Sequence, residues 1–225
     1  MVVFDMAGTV VDEGNVVYKT LHKALNDGGV SVTFNEVLAD GAGKEKKKAM
    51  SDIVAKRDPG KGPDSIDAMY NKFVGMLERA YNELDVHEMR GTGEVFDRLK
   101  AMGVWRVLNT GYSRATALQL IGKLKWERGI HYDELVTASD VERGRPYADM
   151  ISRAMEILGV KDPGSVVKVG DSIIDIEEGK NAGCGMTIAI TTGAHTRRQL
   201  ASACPDHIID SIDELMPLIA LQPAK

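Results

Sequence analysis

Four short clusters hold the residues whose types and spacing could do chemistry. They are Asp5-Met6-Ala7-Gly8-Thr9, Asn109-Thr110-Gly111, Gly144-Arg145-Pro146, and Gly170-Asp171-Ser172 with Asp175 beyond it. A carboxylate at Asp5 can serve as a nucleophile or a metal ligand, or can simply start a turn. Gly8 lets the backbone turn and approach a ligand closely. The Thr110 hydroxyl and the backbone at Gly111 can donate hydrogen bonds to a phosphoryl oxygen. Arg145 can neutralise charge on a nucleophile and a phosphate together, or can lie in solvent. Asp171 and Asp175 come close in space if a helix starts between them. Joined by Asp5, they form an oxygen-rich set suited to Mg²⁺. Asp171 or Ser172 also suits a helix cap, and capping does not exclude metal binding.

The elements that must position these groups can be read from the pattern around them. Short apolar runs ended by turn residues predict buried strands at Met1–Phe4, Val104–Leu108, Ser165–Val169 and Met186–Ile190. Leu135-Val136 and His207–Ile209 are shorter candidates. Gly93–Met102, Ala115–Lys123 and Tyr147–Leu158 read as helices between them, with Pro146 suited to the first turn of the last. Strands alternating with helices predict an α/β fold with a parallel sheet covered on both faces. Ligands of such sheets bind at the carboxyl ends of the strands, where Asp5, Thr110 and Asp171 fall.

Residues 15–87 break this rhythm. Helices are predicted at Val16–Leu25, Phe34–Leu38, Lys44–Ala55 and Ser65–Leu84, with a break at Asp58–Pro63. The block reads as a helical insertion after the first strand, leaving 1–14 and 88–225 as the core. Apolar positions from Phe73 to Leu77 suit either a homodimer contact or packing among the helices.

The 225 residues carry 28 Lys and Arg against 33 Asp and Glu, a net charge of −5. This mild acidity argues against broad nucleic-acid binding. Cys184 and Cys204 cannot make a disulfide framework and are expected to be reduced and at least half-buried. No stretch has the apolar length of a membrane span, and no signal peptide is visible, so a cytoplasmic location is expected.

Taken in order, the four clusters resemble the four motifs of the haloacid dehalogenase superfamily. The resemblance implies a Rossmann-like core with a helical cap domain at 15–87. It implies an aspartyl nucleophile at Asp5, and Mg²⁺ held by Asp5, the carbonyl of Ala7 and Asp171, with Asp175 nearby. It also implies that Thr110 and Arg145 hold the transferring phosphoryl group. Most phosphatases of that superfamily carry an acid two residues after the nucleophile, where this chain has Ala7, which cannot transfer a proton. Asp-x-Ala-Gly-Thr followed by Val11-Asp12 resembles the phosphonoacetaldehyde hydrolases and their relatives. There a cap Lys forms a Schiff base with the substrate aldehyde, and the protonated imine accepts the electron pair when carbon–phosphorus cleavage occurs. Gly41-Ala42-Gly43-Lys44 resembles the segment bearing that Lys, which makes Lys44 the expected residue, in an imine or a purely electrostatic role. Lys47 stands where that pattern has His.

The expected activity is Mg²⁺-dependent hydrolysis of a small anionic phosphonate or phosphate through an aspartyl-phosphate. The alternatives are a phosphatase of an ester or anhydride, and a non-catalytic phosphate-binding protein on the same fold. Asp5→Asn is expected to abolish phosphate release from every phosphonate and phosphate ester that the unmodified chain hydrolyses. Retained turnover would remove Asp5 as the nucleophile.

Overall fold

A computed structural model describes residues 1–220. The chain begins with β1 (Val2–Asp5) and the two-residue β2 (Val11–Asp12). Four helices follow: α1 (Val16–Asp27), α2 (Phe34–Gly41), α3 (Lys46–Arg57) and α4 (Pro63–Glu83). After them come β3 (His87–Glu88), α5 (Thr92–Ala101), β4 (Arg106–Thr110), α6 (Arg114–Leu124) and β5 (Glu134–Thr137). The last third holds α7 (Asp149–Leu158), β6 (Val167–Gly170), α8 (Ile173–Asn181), β7 (Met186–Ile190), α9 (Arg197–Ser202), β8 (His207–Ile209) and α10 (Leu215–Ala220).

Six strands form one parallel sheet in the order β5-β4-β1-β6-β7-β8. β1 is central, pairing with β4 from Val2↔Arg106 to Asp5↔Asn109 and with β6 from Val2↔Val167 to Phe4↔Val169. Such strands are apolar on both faces because helices cover both. Along β1 successive side chains alternate between layers. Phe4 packs on Phe96 of α5, with ring centroids 5.3 Å apart. Val3 faces the other way and joins Met150, Ile151 and Ala154 of α7. The carboxyl ends of β1, β4 and β6 therefore lie side by side and deliver Asp5, Thr110 and Asp171 to one edge.

The four helices α1–α4 all lie between β2 and β3, which pair antiparallel through Val11↔Glu88 and Asp12↔His87. This stem was not anticipated, because two-residue strands carry no periodic signal. The helix starts follow local chemistry. A reciprocal capping box joins Thr33 and Glu36 at α2. Pro63 opens α4, where its missing N–H costs nothing. The Glu45 carboxylate accepts from the N–H groups of Lys47 (2.9 Å) and Lys48 (2.8 Å). Glu45 is thus the cap of α3, so the expected start at Lys44 moves to Lys46 and Lys44 lies in the preceding turn. A similar shift affects α7, which starts at Asp149 and leaves Pro146 in the turn before it. Cys204 is exposed rather than half-buried. No helix among the described residues is long and apolar enough to cross a membrane. Phe73 and Leu77 are buried within the chain, while Val74 between them is exposed.

Glu13 sits where the chain leaves β2 for α1. Its side chain accepts from the Val17 N–H at 3.2 Å and is 2% exposed. Burial pushes its carboxyl up to about 7, against the opposing pull of the Val17 and Val16 N–H groups and of Lys46. The folded chain therefore holds a proton that the unfolded chain releases at lower pH. The stability this confers is present at acid pH and is lost as pH rises through about 7. Glu13→Gln is expected to gain on the unmodified chain by about 1–3 kcal/mol between pH 5 and pH 8. Urea denaturation at both pH values checks this, and parallel pH dependence in the two proteins would refute it.

Candidate active site

Asp5 ends β1 and is 6% exposed. The turn after it is tight: the Gly8 N–H donates to the Val11 carbonyl at 2.9 Å, and the Thr192 hydroxyl donates to the Gly8 carbonyl at 2.6 Å. Gly8 has a φ of +84°, and a Cβ there would lie 2.7 Å from Asp171 Oδ2 and 2.8 Å from Gly193 Cα. Only glycine satisfies both the left-handed backbone and this approach. Ala7 faces the same small space as Asp5 and supplies a carbonyl but no acid.

Behind Asp5 lies a buried ionic network. Arg145, 4% exposed, reaches Asp5 Oδ1 at 2.8 Å, Asp175 Oδ1 at 3.0 Å and Glu178 Oε2 at 2.9 Å. Lys168 reaches Asp175 Oδ1 at 3.1 Å and Glu178 Oε2 at 3.0 Å. Asn109 ties the set together. It donates to Glu178 Oε1 at 3.1 Å, and its side-chain oxygen accepts from Lys168 at 2.8 Å and from Arg145. Four carboxylates (Asp5, Asp171, Asp175 and Glu178) thus share this pocket with two cations. Breaking such buried pairs by removing one partner is costly, because a charge is then left without compensation.

The carboxylates respond unequally. Burial alone would push Asp175 up, but Arg145 and Lys168 reverse this and hold it below the ordinary carboxylate range. Asp5 is raised by burial, which Arg145 only partly opposes, and the Asp175 charge raises it further. Asp171 has no cation partner among the described residues. Burial and then the Asp5 and Asp175 charges push it well above the usual range. Its Oδ2 accepts from the Ala194 N–H at 2.6 Å, and its Oδ1 accepts from the Thr9 hydroxyl at 3.4 Å. One oxygen from each of Asp5, Asp171 and Asp175 lies within 4.8 Å of the others. An all-oxygen set in which Asp171 has no cation partner fits a hard divalent cation. Ser172, one of the two expected caps, is the N-cap of α8, and Asp175 in the first turn accepts from its hydroxyl and N–H, so the capping box and the acidic cluster share Asp175.

Helices α1 and α3 and the turn at Gly43 close over this network. A cavity of only about 10 Å³ remains above Asp5. It is lined by Asp5, Ala7, Thr110, Gly111, Tyr112 and Arg145 from below, and by Tyr18, Gly43 and Lys46 from above. The Thr110 hydroxyl accepts from the Tyr112 N–H at 3.2 Å. Gly43 is the point of contact. Its φ is +73°, and a Cβ there would lie 2.2 Å from Ile174 Cγ2 and 2.4 Å from Ser172 Oγ. Its N–H donates to the Tyr18 hydroxyl at 3.1 Å, and its carbonyl accepts from Arg145 at 3.5 Å.

The two lysines of this turn have opposite fates. Lys44, the expected residue, pairs with Asp52 at 2.8 Å and does not line the cavity above Asp5. Lys46 does. It is 6% exposed, its Nζ donates to the Lys44 carbonyl at 2.6 Å, and it lies 5.0 Å and 5.3 Å from the ring centroids of Tyr18 and Tyr112. Burial pulls its ammonium down to about 8, although the Asp5 charge opposes that fall. The difference between Lys44 and Lys46 comes from the cap. With Glu45 as cap, Lys46 takes the first helical position, and in a run of lysines composition alone does not show which one turns inward. Lys168, Asn109 and Glu178 were also missed. A Lys within the buried run Val167–Gly170 was the available signal, since such a residue needs paired partners.

The family model of haloacid dehalogenase-like hydrolases matches residues 2–189. A phosphonoacetaldehyde hydrolase of Latilactobacillus sakei subsp. sakei is 28% identical, covering 97% of this chain and 94% of that protein. One from Bacillus cereus strain B4264 is 29% identical over 86% of this chain and 76% of that protein. A bifunctional phosphonoacetaldehyde hydrolase/aminoethylphosphonate transaminase of Clostridioides difficile is 32% identical, but this chain spans only 31% of it. Among solved structures, a phosphonoacetaldehyde hydrolase-like protein from Oleispira antarctica superposes with a TM-score of 0.84 at 24% identity, covering 97% of this chain and 90% of that one. A hydrolase from Pseudomonas syringae also gives 0.84, at 17% identity and 99% coverage of each chain.

The Gly43 contact yields a prediction. Gly43→Ala is expected to destabilise the chain by about 1–3 kcal/mol, through both strain and collision. It should also speed amide exchange across residues 41–45 by about tenfold. Gly75→Ala, inside α4 with room around it, should instead stabilise by about 0.5–1 kcal/mol. Equal, small effects of the two changes would show that the Gly43 approach is not needed.

Proposed function

The chain belongs to the haloacid dehalogenase-like hydrolase family, and on that footing we propose that it is a Mg²⁺-dependent phosphonatase-like hydrolase acting on a small phosphonate or phosphate. Residues 15–87 act as a cap over a core of 1–14 and 88–225. The observation that carries the reading is Lys46, a buried amine facing the same small cavity as Asp5 and Arg145. The curated relatives named as phosphonoacetaldehyde hydrolases support it.

In this reading Asp5, Asp171 and the Ala7 carbonyl would hold Mg²⁺, with Asp175 fixing Arg145 and Lys168 behind them. The ion, when bound, supplies positive charge against the nucleophile and the phosphoryl oxygens. Thr110, the Gly111 backbone and Arg145 bind the phosphoryl group, Arg145 facing Asp5 and substrate together. The Lys46 amine condenses with a substrate aldehyde to give an imine and water. An Asp5 oxygen then attacks phosphorus, the carbon–phosphorus bond breaks, and its electron pair passes into the protonated imine to give an enamine. Protonation at carbon and hydrolysis release the aldehyde product and free Lys46. Water cleaves the aspartyl-phosphate and restores Asp5. Tyr18 and Tyr112 stay neutral, because burial raises both phenols well above their ordinary range. The cavity of about 10 Å³ has room for one water at most, so substrate entry requires the cap to lift.

A second reading rests on the same lysine. Below about pH 8 Lys46 is an ammonium beside Asp5, and it can give its proton to a leaving oxygen in place of the acid absent at Ala7. The chain would then be a phosphatase of a small ester or anhydride.

The deciding experiment is borohydride trapping with phosphonoacetaldehyde, followed by peptide mapping. The expected result is an adduct at Lys46 whose yield rises as pH passes about 8. It should be lost in Lys46→Arg and kept in Lys44→Arg. No adduct, together with phosphate release from esters alone, would select the second reading. An adduct at Lys44 would overturn the assignment.

A further inference from the structure

Next to the narrow space above Asp5 lies a much larger one. A cavity of about 470 Å³ runs between α4 and α6, within the range of sites that take small organic ligands. The two spaces share Lys46, Gly111 and Tyr112, so they meet at the proposed reactive amine. From α4 the large cavity receives Phe73, Val74, Leu77 and Tyr81, and from the α6 side Tyr112 and Ala115. A two-carbon aldehyde would leave this volume unused.

Its chemistry is selective. Phe73, Leu77, Tyr81 and Tyr112 are buried and give the α4 side an apolar and aromatic surface, while Ser113, Thr116, Gln119 and Ser139 line the facing side with uncharged polar groups. The Tyr81 and Tyr112 hydroxyls lie behind this wall, beside each other and out of contact with the cavity space. The charged lining beyond Lys46 is Glu45 and Glu78, both acidic. A second anionic group would meet repulsion there.

The geometry points to a substrate whose phosphoryl end lies at Asp5 and Arg145 and whose other end is an uncharged, largely apolar tail held between α4 and α6. This rests on the proposed phosphoryl site and adds the class of its organic portion: a phosphonate or phosphate with an uncharged alkyl or aryl tail, of which a two-carbon aldehyde fills only the reactive end, rather than a doubly anionic compound. Transfer of each buried methylene from water is favourable, so affinity should climb with tail length until the cavity is filled.

Titration calorimetry of the full chain with Mg²⁺ tests this without turnover, using methyl-, butyl-, hexyl- and phenylphosphonate. The expected result is a roughly three- to fourfold gain in affinity per added methylene. Val74→Trp, at a position 44% exposed on the rim, should flatten that dependence. Ala115→Phe, exposed on the facing helix, should do the same, and melting curves of both confirm folding. Equal affinity for methyl- and hexylphosphonate would overturn the tail site while leaving the phosphoryl site standing. An unchanged slope in both variants would also overturn it. No binding of any phosphonate, methylphosphonate included, would remove the phosphoryl site and the tail site with it.

Discussion

The structure turns on an excess of buried negative charge. Four carboxylates are enclosed at the ends of β1, β4 and β6 with Arg145 and Lys168, and the amine of Lys46 faces Asp5 from above. A buried charge is tolerated only when paired and hydrogen-bonded. Arg145 and Lys168 satisfy Asp175 and Glu178 and half-satisfy Asp5. Asp171 is left with hydrogen bonds but no cation. That imbalance is what suits the pocket to a divalent ion. Of the four carboxylates, Asp5 is the one that lines the small space above the network.

Much of the fold serves to hold this arrangement. The parallel sheet brings three strand ends together, and its apolar faces fix them against α5 and α7. Gly8 permits the turn that sets Asp5 against Asp171, and Gly43 permits the cap to touch the same loop. In the proposed reading the helices α1–α4 contribute what the sheet ends lack. With Ala7 in place of an acid, that reading assigns the leaving electrons to Lys46, which lines the same small space as Asp5.

The legible and illegible parts of the sequence divide on physical lines. β1, β4, β6 and β7 are short apolar runs ended by turns, and they lie within two residues of the spans that pattern predicts. Asp5, Thr110, Arg145 and Asp171 stand at strand ends or next to Gly and Pro, and the structure brings them together. Lys44 failed as the inward lysine because one helix cap, Glu45, decides which of several adjacent lysines faces in. Lys168, Asn109 and Glu178 escaped notice because their role exists only through contacts between residues far apart in sequence, up to 69 positions for Asn109 and Glu178. The cavity between α4 and α6 was equally hidden. Phe73 to Leu77 reads as ordinary helix packing until the facing helix is in place.

Thermal melting of the unmodified chain and of Asp171→Asn, each with and without Mg²⁺, tests the charge account most directly. The account predicts that Mg²⁺ raises the Tm of the unmodified chain. It also predicts that, without Mg²⁺, Asp171→Asn melts higher than the unmodified chain, since it removes an uncompensated charge, and that it gains little from the ion. An Asp171→Asn chain that is less stable without Mg²⁺, yet gains from the ion as much as the unmodified chain, would contradict it.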